Sequence, residues 1–117
     1  MAKWDLSVEA FASMDDFDAY QYHAAQTAVF PKKVALEYTA LGLASESGEY
    51  AGKIKKKIRD GVFDDLAAAD ELGDCLWYLA MAAEALGYSL SEIADRNLKK
   101  LQSRQERGKL SGSGDNR

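Results

Sequence analysis

The chain predicts an all-α protein, a bundle of four to five helices, and three observations carry that prediction. Pro31 is the only proline and glycine-marked breaks are few, which suits long helices joined by short connections. Apolar residues recur at helical rather than alternating spacing, so strand signals are weak throughout. At 117 residues and 47% hydrophobic content the chain can bury one core of three or four helices and is too short for two domains.

Each element has a local reason. A first helix is expected to start at Ser13, a suitable N-cap ahead of Asp15 and Asp16, and to run through Phe17, Tyr20, Ala24 and Ala28 until Pro31 stops it. A second runs from Lys33 to Arg59, with Leu36, Leu43, Tyr50, Ile54 and Ile58 as core candidates, and the Asp60-Gly61 turn ends it. A third spans Asp65 to Ala85, where Leu66, Leu72, Leu76, Leu79 and Met81 are apolar and Gly87 is placed as a C-terminal stop. Ser89 or Ser91 caps a fourth, which carries Ile93, Leu98 and Leu101 to Gln105, with Glu92 set for a capping box or for the positive helix end. Residues 1–108 thus form the helical domain, and 109–117, rich in Gly, Ser and polar side chains, form a flexible tail.

Charge and composition exclude several classes. A formal net charge of −4 argues against nucleic acid as a partner, because phosphate contact leaves a basic footprint. No apolar run approaches the roughly 20 residues of a membrane span. Cys75 is alone and cannot form an internal disulfide, and Met1 to Asp5 lacks the apolar stretch of a signal peptide, so a cytoplasmic protein is expected.

Two carboxylate pairs interrupt the apolar pattern, Glu46-Ser-Gly-Glu49 on the second helix and Glu71-Leu-Gly-Asp74 on the third. Spacing of i,i+3 puts both acids of a pair on one helix face. Two such helices packed together would gather four like charges, an arrangement that calls for divalent cations bound through oxygen, Mg²⁺ first. Lys53 and Lys56 continue the stripe of Glu46 and Glu49, setting ammonium groups for phosphate beside carboxylates for metal. Tyr78 falls on the face of Glu71 and Asp74, and Asn97, Lys100 and Arg104 line up on the fourth helix. Acids at the centre with donors on the flanks is the layout a metal-bound polyphosphate needs.

These residues resemble the MazG-like all-α nucleoside triphosphate pyrophosphohydrolases, of the small single-domain kind that includes phage-type members. That family's mark is a Glu-x-x-Glu pair followed on the next helix by Glu-x-x-Asp. The matching stretches are Leu43-Ala44-Ser45-Glu46-Ser47-Gly48-Glu49 and Asp70-Glu71-Leu72-Gly73-Asp74-Cys75-Leu76-Trp77-Tyr78-Leu79. The likeness extends to Tyr20-Gln21, to Asn97-Leu98-Lys99-Lys100-Leu101, and to the ending Gly112-Ser113-Gly114-Asp115-Asn116-Arg117, so it covers most of the chain.

The resemblance implies Mg²⁺-dependent cleavage of a (d)NTP between its α and β phosphates, giving (d)NMP and pyrophosphate. It places Mg²⁺, with Mn²⁺ as a substitute, on Glu46, Glu49, Glu71 and Asp74, with Glu46 or Glu49 as the catalytic base. Lys53, Lys56, Lys100 and Arg104 become candidates to hold pyrophosphate, and Asn97 and Tyr78 to position phosphate or sugar. Gln21 and Phe30 become candidates for base contact, since family pockets place the base near the first helix and the loop after it. A homodimer or homotetramer, a dimer of dimers, is expected both from the family and from Val34, Leu41, Trp77, Met81 and Leu86, apolar residues on more than one face of a small bundle. The tail is expected to fold over a nucleotide site, with Arg117 offering a planar donor to phosphate.

Plainer alternatives stand beside these. Lys55, Lys57 and Arg59 suit an exposed basic face, Trp77 suits packing, and Cys75 suits a small buried position, because no histidine lies nearby to activate it. A di-iron site would need Glu-x-x-His pairs, and His23, the only histidine, belongs to none, which suits it better to a surface or subunit contact than to a metal. The alternative function is a non-catalytic helical dimerisation or regulatory module that keeps the fold. Against it, all four motif carboxylates are present.

Overall fold

The computed structural model describes residues 17–116, so the expected cap Ser13 and the terminal Arg117 lie outside the described residues. Among these residues the chain forms four α-helices and no strand: α1 Phe17–Ala25, α2 Ala35–Asp60, α3 Asp65–Leu86 and α4 Leu90–Glu106, with a 3₁₀ turn at Lys32–Val34 ahead of α2. The all-α expectation holds. None of these helices is long and apolar enough to cross a membrane.

Helix ends follow local chemistry closely. α1 stops at Ala25, short of Ala28, because the N–H groups of Gln26, Thr27 and Ala28 reach back only three residues, to His23, Ala24 and Ala25. The Thr27 hydroxyl also donates to Ala24 O at 2.7 Å, and the tightened turns release the chain into the extended segment before Pro31. Gly61, at φ 71°, ends α2 by donating its N–H to Lys57 O. Asp64 then caps α3 through the N–H groups of Leu66 and Ala67, at 3.1 and 3.2 Å. Of the two candidate serines, Ser89 caps α4, in a full capping box with Glu92, whereas the Ser91 N–H donates to Asp18 on α1.

α2 and α3 pack along each other as a long hairpin, while α1 packs against α3 and α4. The buried cluster is Ala24, Ala80, Met81 and Leu90, with Tyr20, Phe30 and Trp77 around it. Several expected core positions are not buried in this chain. Ile58 is 82% exposed and Leu66 71%, and Leu36, Leu72 and Leu98 are exposed as well. For Ile58 and Leu66 the reason is coverage: the buried cluster joins α1 and α4 to Ala80 and Met81 of α3, and among the described residues no further helix faces the hairpin tip.

Candidate functional site

Packing of α2 on α3 brings Glu46, Glu71 and Asp74 together, with one oxygen of each within 4.8 Å of the others. Glu46 and Glu71 are half-buried and Asp74 is exposed. Burial first, then the charges of Asp74 and Glu71 and a hydrogen bond to Glu71, raise the Glu46 carboxyl above its ordinary range. Glu49 lies one turn further along α2, exposed and outside the trio, yet near enough for its charge to add to that rise. The donor set is oxygen only, with neither histidine nor cysteine, and so fits a hard divalent cation.

Basic groups flank the acids toward the hairpin tip. Lys53 Nζ stands 3.7 Å from Glu71 Oε1. Lys53 and Lys56 line a cleft of about 370 Å³ with Asp60, Val62, Phe63, Asp64 and Ala67, and Lys57 lies over the Phe63 ring at 4.7 Å.

Aromatic groups flank them on the other side. Tyr78, Glu46, Asp74 and Trp77 line a shallow cleft of about 320 Å³. Tyr78 reaches this position because residue 42 is glycine: its ring lies against the α2 backbone where any Cβ would overlap it. Burial, the neighbouring Tyr38, Glu46 and Asp74 raise the Tyr78 phenol, and burial followed by Asp74 raises that of Tyr20. Trp77 donates from Nε1 to Thr27 Oγ1 at 2.8 Å and meets the Tyr78 ring edge-on at 5.0 Å.

The profile of the MazG nucleotide pyrophosphohydrolase domain matches residues 35–108, which is α2 through α4 and includes every motif carboxylate. The chain belongs to the MazG nucleotide pyrophosphohydrolase domain family. A relative, Gene 37 protein of Mycobacterium phage L5, is 47% identical over 113 residues, covering 86% of this chain and 97% of that protein. No solved structure matches.

The other residues expected in a MazG nucleotide site fall in three places. Phe30 is stacked on Tyr38 at 4.9 Å and lies edge-on to Trp77, with Lys32 Nζ 4.4 Å over its ring. It lines a cleft of about 390 Å³ with Ala25, Ala28, Lys32, Ala35, Met81, Glu84 and Ala85. Gln21 is buried and spends its amide on packing the domain: Nε2 donates to Ala80 O and Tyr88 O, and Oε1 accepts from Leu90 N at 2.8 Å. Asn97 and Lys100 line a cleft on α4, while Arg104 is buried beneath the C-terminal residues.

Three residues beside the acidic cluster escaped sequence reasoning as site residues: Tyr20, Tyr38 and Gly42. A signal for two of them was present, because Tyr38, Gly42, Glu46, Glu49 and Lys53 follow one helical stripe, with a phenol, a gap, two acids and an amine in order. Cys75 is half-buried between the helices, 3.8 Å from Ser47 Oγ.

Proposed function

We propose that this MazG-domain protein is a Mg²⁺-dependent nucleoside triphosphate pyrophosphohydrolase that converts a (d)NTP and water to (d)NMP and pyrophosphate. The convergence of Glu46, Glu71 and Asp74 from two helices carries the assignment, since three like charges at this separation favour a bound divalent cation. Mg²⁺ held there, with Glu49 one turn away, supplies neutralisation of the polyphosphate and a more acidic water. Mn²⁺, also an oxygen-seeking ion, serves as a substitute.

The chain's own groups do the rest. Proton acceptance from the attacking water falls to the Glu46–Glu49 pair, and Glu49→Gln separates them: loss of kcat with metal affinity kept assigns the base to Glu49, and kcat kept assigns it to Glu46. Lys53, beside Glu71, and Lys56, in the same cleft as Lys53, hold the leaving pyrophosphate. Tyr78 donates to phosphate or sugar from the cleft it shares with Asp74. The base enters the neighbouring cleft, whose wall includes Phe30. Asn97 and Lys100 contact phosphate from α4.

Two or four copies assemble in this reading, working in the cytoplasm. Its support is the unfaced apolar surface, Leu41, Ile58, Val62 and Leu66 each being more than 70% exposed. The deciding experiment incubates the protein with each nucleoside triphosphate, with Mg²⁺ or with EDTA, and separates the products. Pyrophosphate released only with Mg²⁺ is the expected result; orthophosphate as first product, or no turnover with any nucleotide, removes the assignment.

A further inference from the structure

We propose that residues 108–116 form a built strap that positions the Lys100 ammonium at a polyphosphate-binding cleft on α4, with Arg104 as its anchor and Asp115 as the positioning residue. The inference rests on the reading above in which Lys100 contacts phosphate.

The path of the strap is specified by its own residues. Gly108, Gly112 and Gly114 take φ values of 69°, 129° and 86°, a region that side-chain-bearing residues avoid. The chain turns back at once, with Lys109 N–H donating to Arg104 O at 2.6 Å. The Arg104 side chain is only 6% exposed, and its Nη2 donates to Asp115 O at 2.8 Å and to Gly114 O and Asp115 Oδ1 at 3.4 Å each. Arg104 Nε is buried with no hydrogen-bond partner among the described residues. Lifting the strap would therefore break the hydrogen bonds that Arg104 Nη2 makes with Gly114 and Asp115.

Asp115 extends the anchor outward. The same Oδ1 accepts from Lys100 Nζ at 3.1 Å, so one carboxylate ties the buried Arg104 to a half-exposed Lys100. An ammonium has three donors, and Asp115 engages one of them. Lys100 borders a cleft of about 430 Å³ whose other lining residues are Ile93, Arg96, Asn97 and Lys99. Three cations and an amide line it; Lys99 is paired with Asp95 at 2.9 Å and Lys100 with Asp115, and the guanidinium of Arg96 with the remaining ammonium donors suits a polyphosphate. Fixing Lys100 there removes rotamer freedom that ligand binding would otherwise have to quench.

Calorimetric titration of the full-length protein with inorganic pyrophosphate, in EDTA so that the acidic cluster holds no metal, tests the inference without relying on turnover. Lys100→Ala should weaken pyrophosphate binding, and Asp115→Asn should weaken it by about two- to fivefold, the range of an exposed ion pair. Asp115→Glu should recover part of the loss, and Asp115→Asn added to Lys100→Ala should cost nothing more, because the strap acts through that lysine. If Lys100→Ala weakens binding while Asp115→Asn leaves it unchanged or tightens it, or if the two losses add, the strap inference is overturned and the phosphate role of Lys100 stands. No effect of Lys100→Ala overturns that role and the strap inference with it.

Discussion

The acidic cluster and the strap treat charge in opposite ways. At Glu46, Glu71 and Asp74 like charges are held together and the Glu46 carboxyl is pushed up. At the strap one carboxylate meets two cations, and Lys100 followed by Arg104 hold the Asp115 carboxyl below its usual range. A cluster of three acids with one lysine beside it favours a further counter-ion from outside, whereas the strap carboxylate has its counter-ions built in. Metal dependence should therefore be confined to the first region.

The sharpest way to break this contrast is at the acids. Glu49→Gln or Asp74→Asn should lower Mg²⁺-dependent kcat by at least about a hundredfold, with circular dichroism unchanged. Near wild-type turnover at saturating Mg²⁺ would deny the cluster its role if Asp74→Asn shows it, and would leave Glu46 as the base if Glu49→Gln does. Lys53→Ala comes next. Negative charge grows on the leaving pyrophosphate, so steady-state kinetics should show kcat falling by about tenfold while KM moves little. A change in KM alone would assign Lys53 to ground-state binding.

A smaller effect tests the packing that frames the acids. Alanine in mid-helix normally stabilises relative to glycine by about 0.5–1 kcal/mol. Gly42→Ala should reverse that sign and destabilise by about 1–3 kcal/mol, as overpacking does, because Tyr78 must move. Urea denaturation measures it.

The smallest effects are in pH. A raised Glu46 carboxyl means the metal-free fold prefers the protonated form and loses stability as pH rises through the ordinary glutamate range. Glu46→Gln should therefore raise Tm in EDTA at neutral pH and stop doing so in acid. Asp115 has the opposite sign: its contribution is present above the ordinary aspartate pKa and fades as pH falls toward the lowered one. Asp115→Asn should thus lower Tm slightly at neutral pH and leave it unchanged in strong acid.

Much of this was legible in the sequence for local reasons. Gly61, Gly87 and the Ser89–Glu92 box punctuate helices through bonds made within a few residues, so the elements could be placed closely. The acid pairs were legible because their spacing sets a helix face and the family motif is specific. What could not be read depended on contact between distant residues. Gly42 looks like a weak helix residue until Tyr78 is seen against it, and nothing local to Gln21 tells that its oxygen accepts from Leu90 N–H, 69 residues away. Leu66 and Ile58 read as core because periodicity marks an apolar face without saying whether the same chain covers it.

The contact between Gly42 and Tyr78 also joins two positions 36 apart in sequence into a single choice. A side chain gained at 42 is tolerable only if the ring at 78 is lost, and a smaller residue at 78 opens a gap that a side chain at 42 could refill. Changes at the two positions should be strongly non-additive, each alone harmful and the compensated pair much less so. Any redesign of the phenol beside the acids therefore begins on the opposite helix.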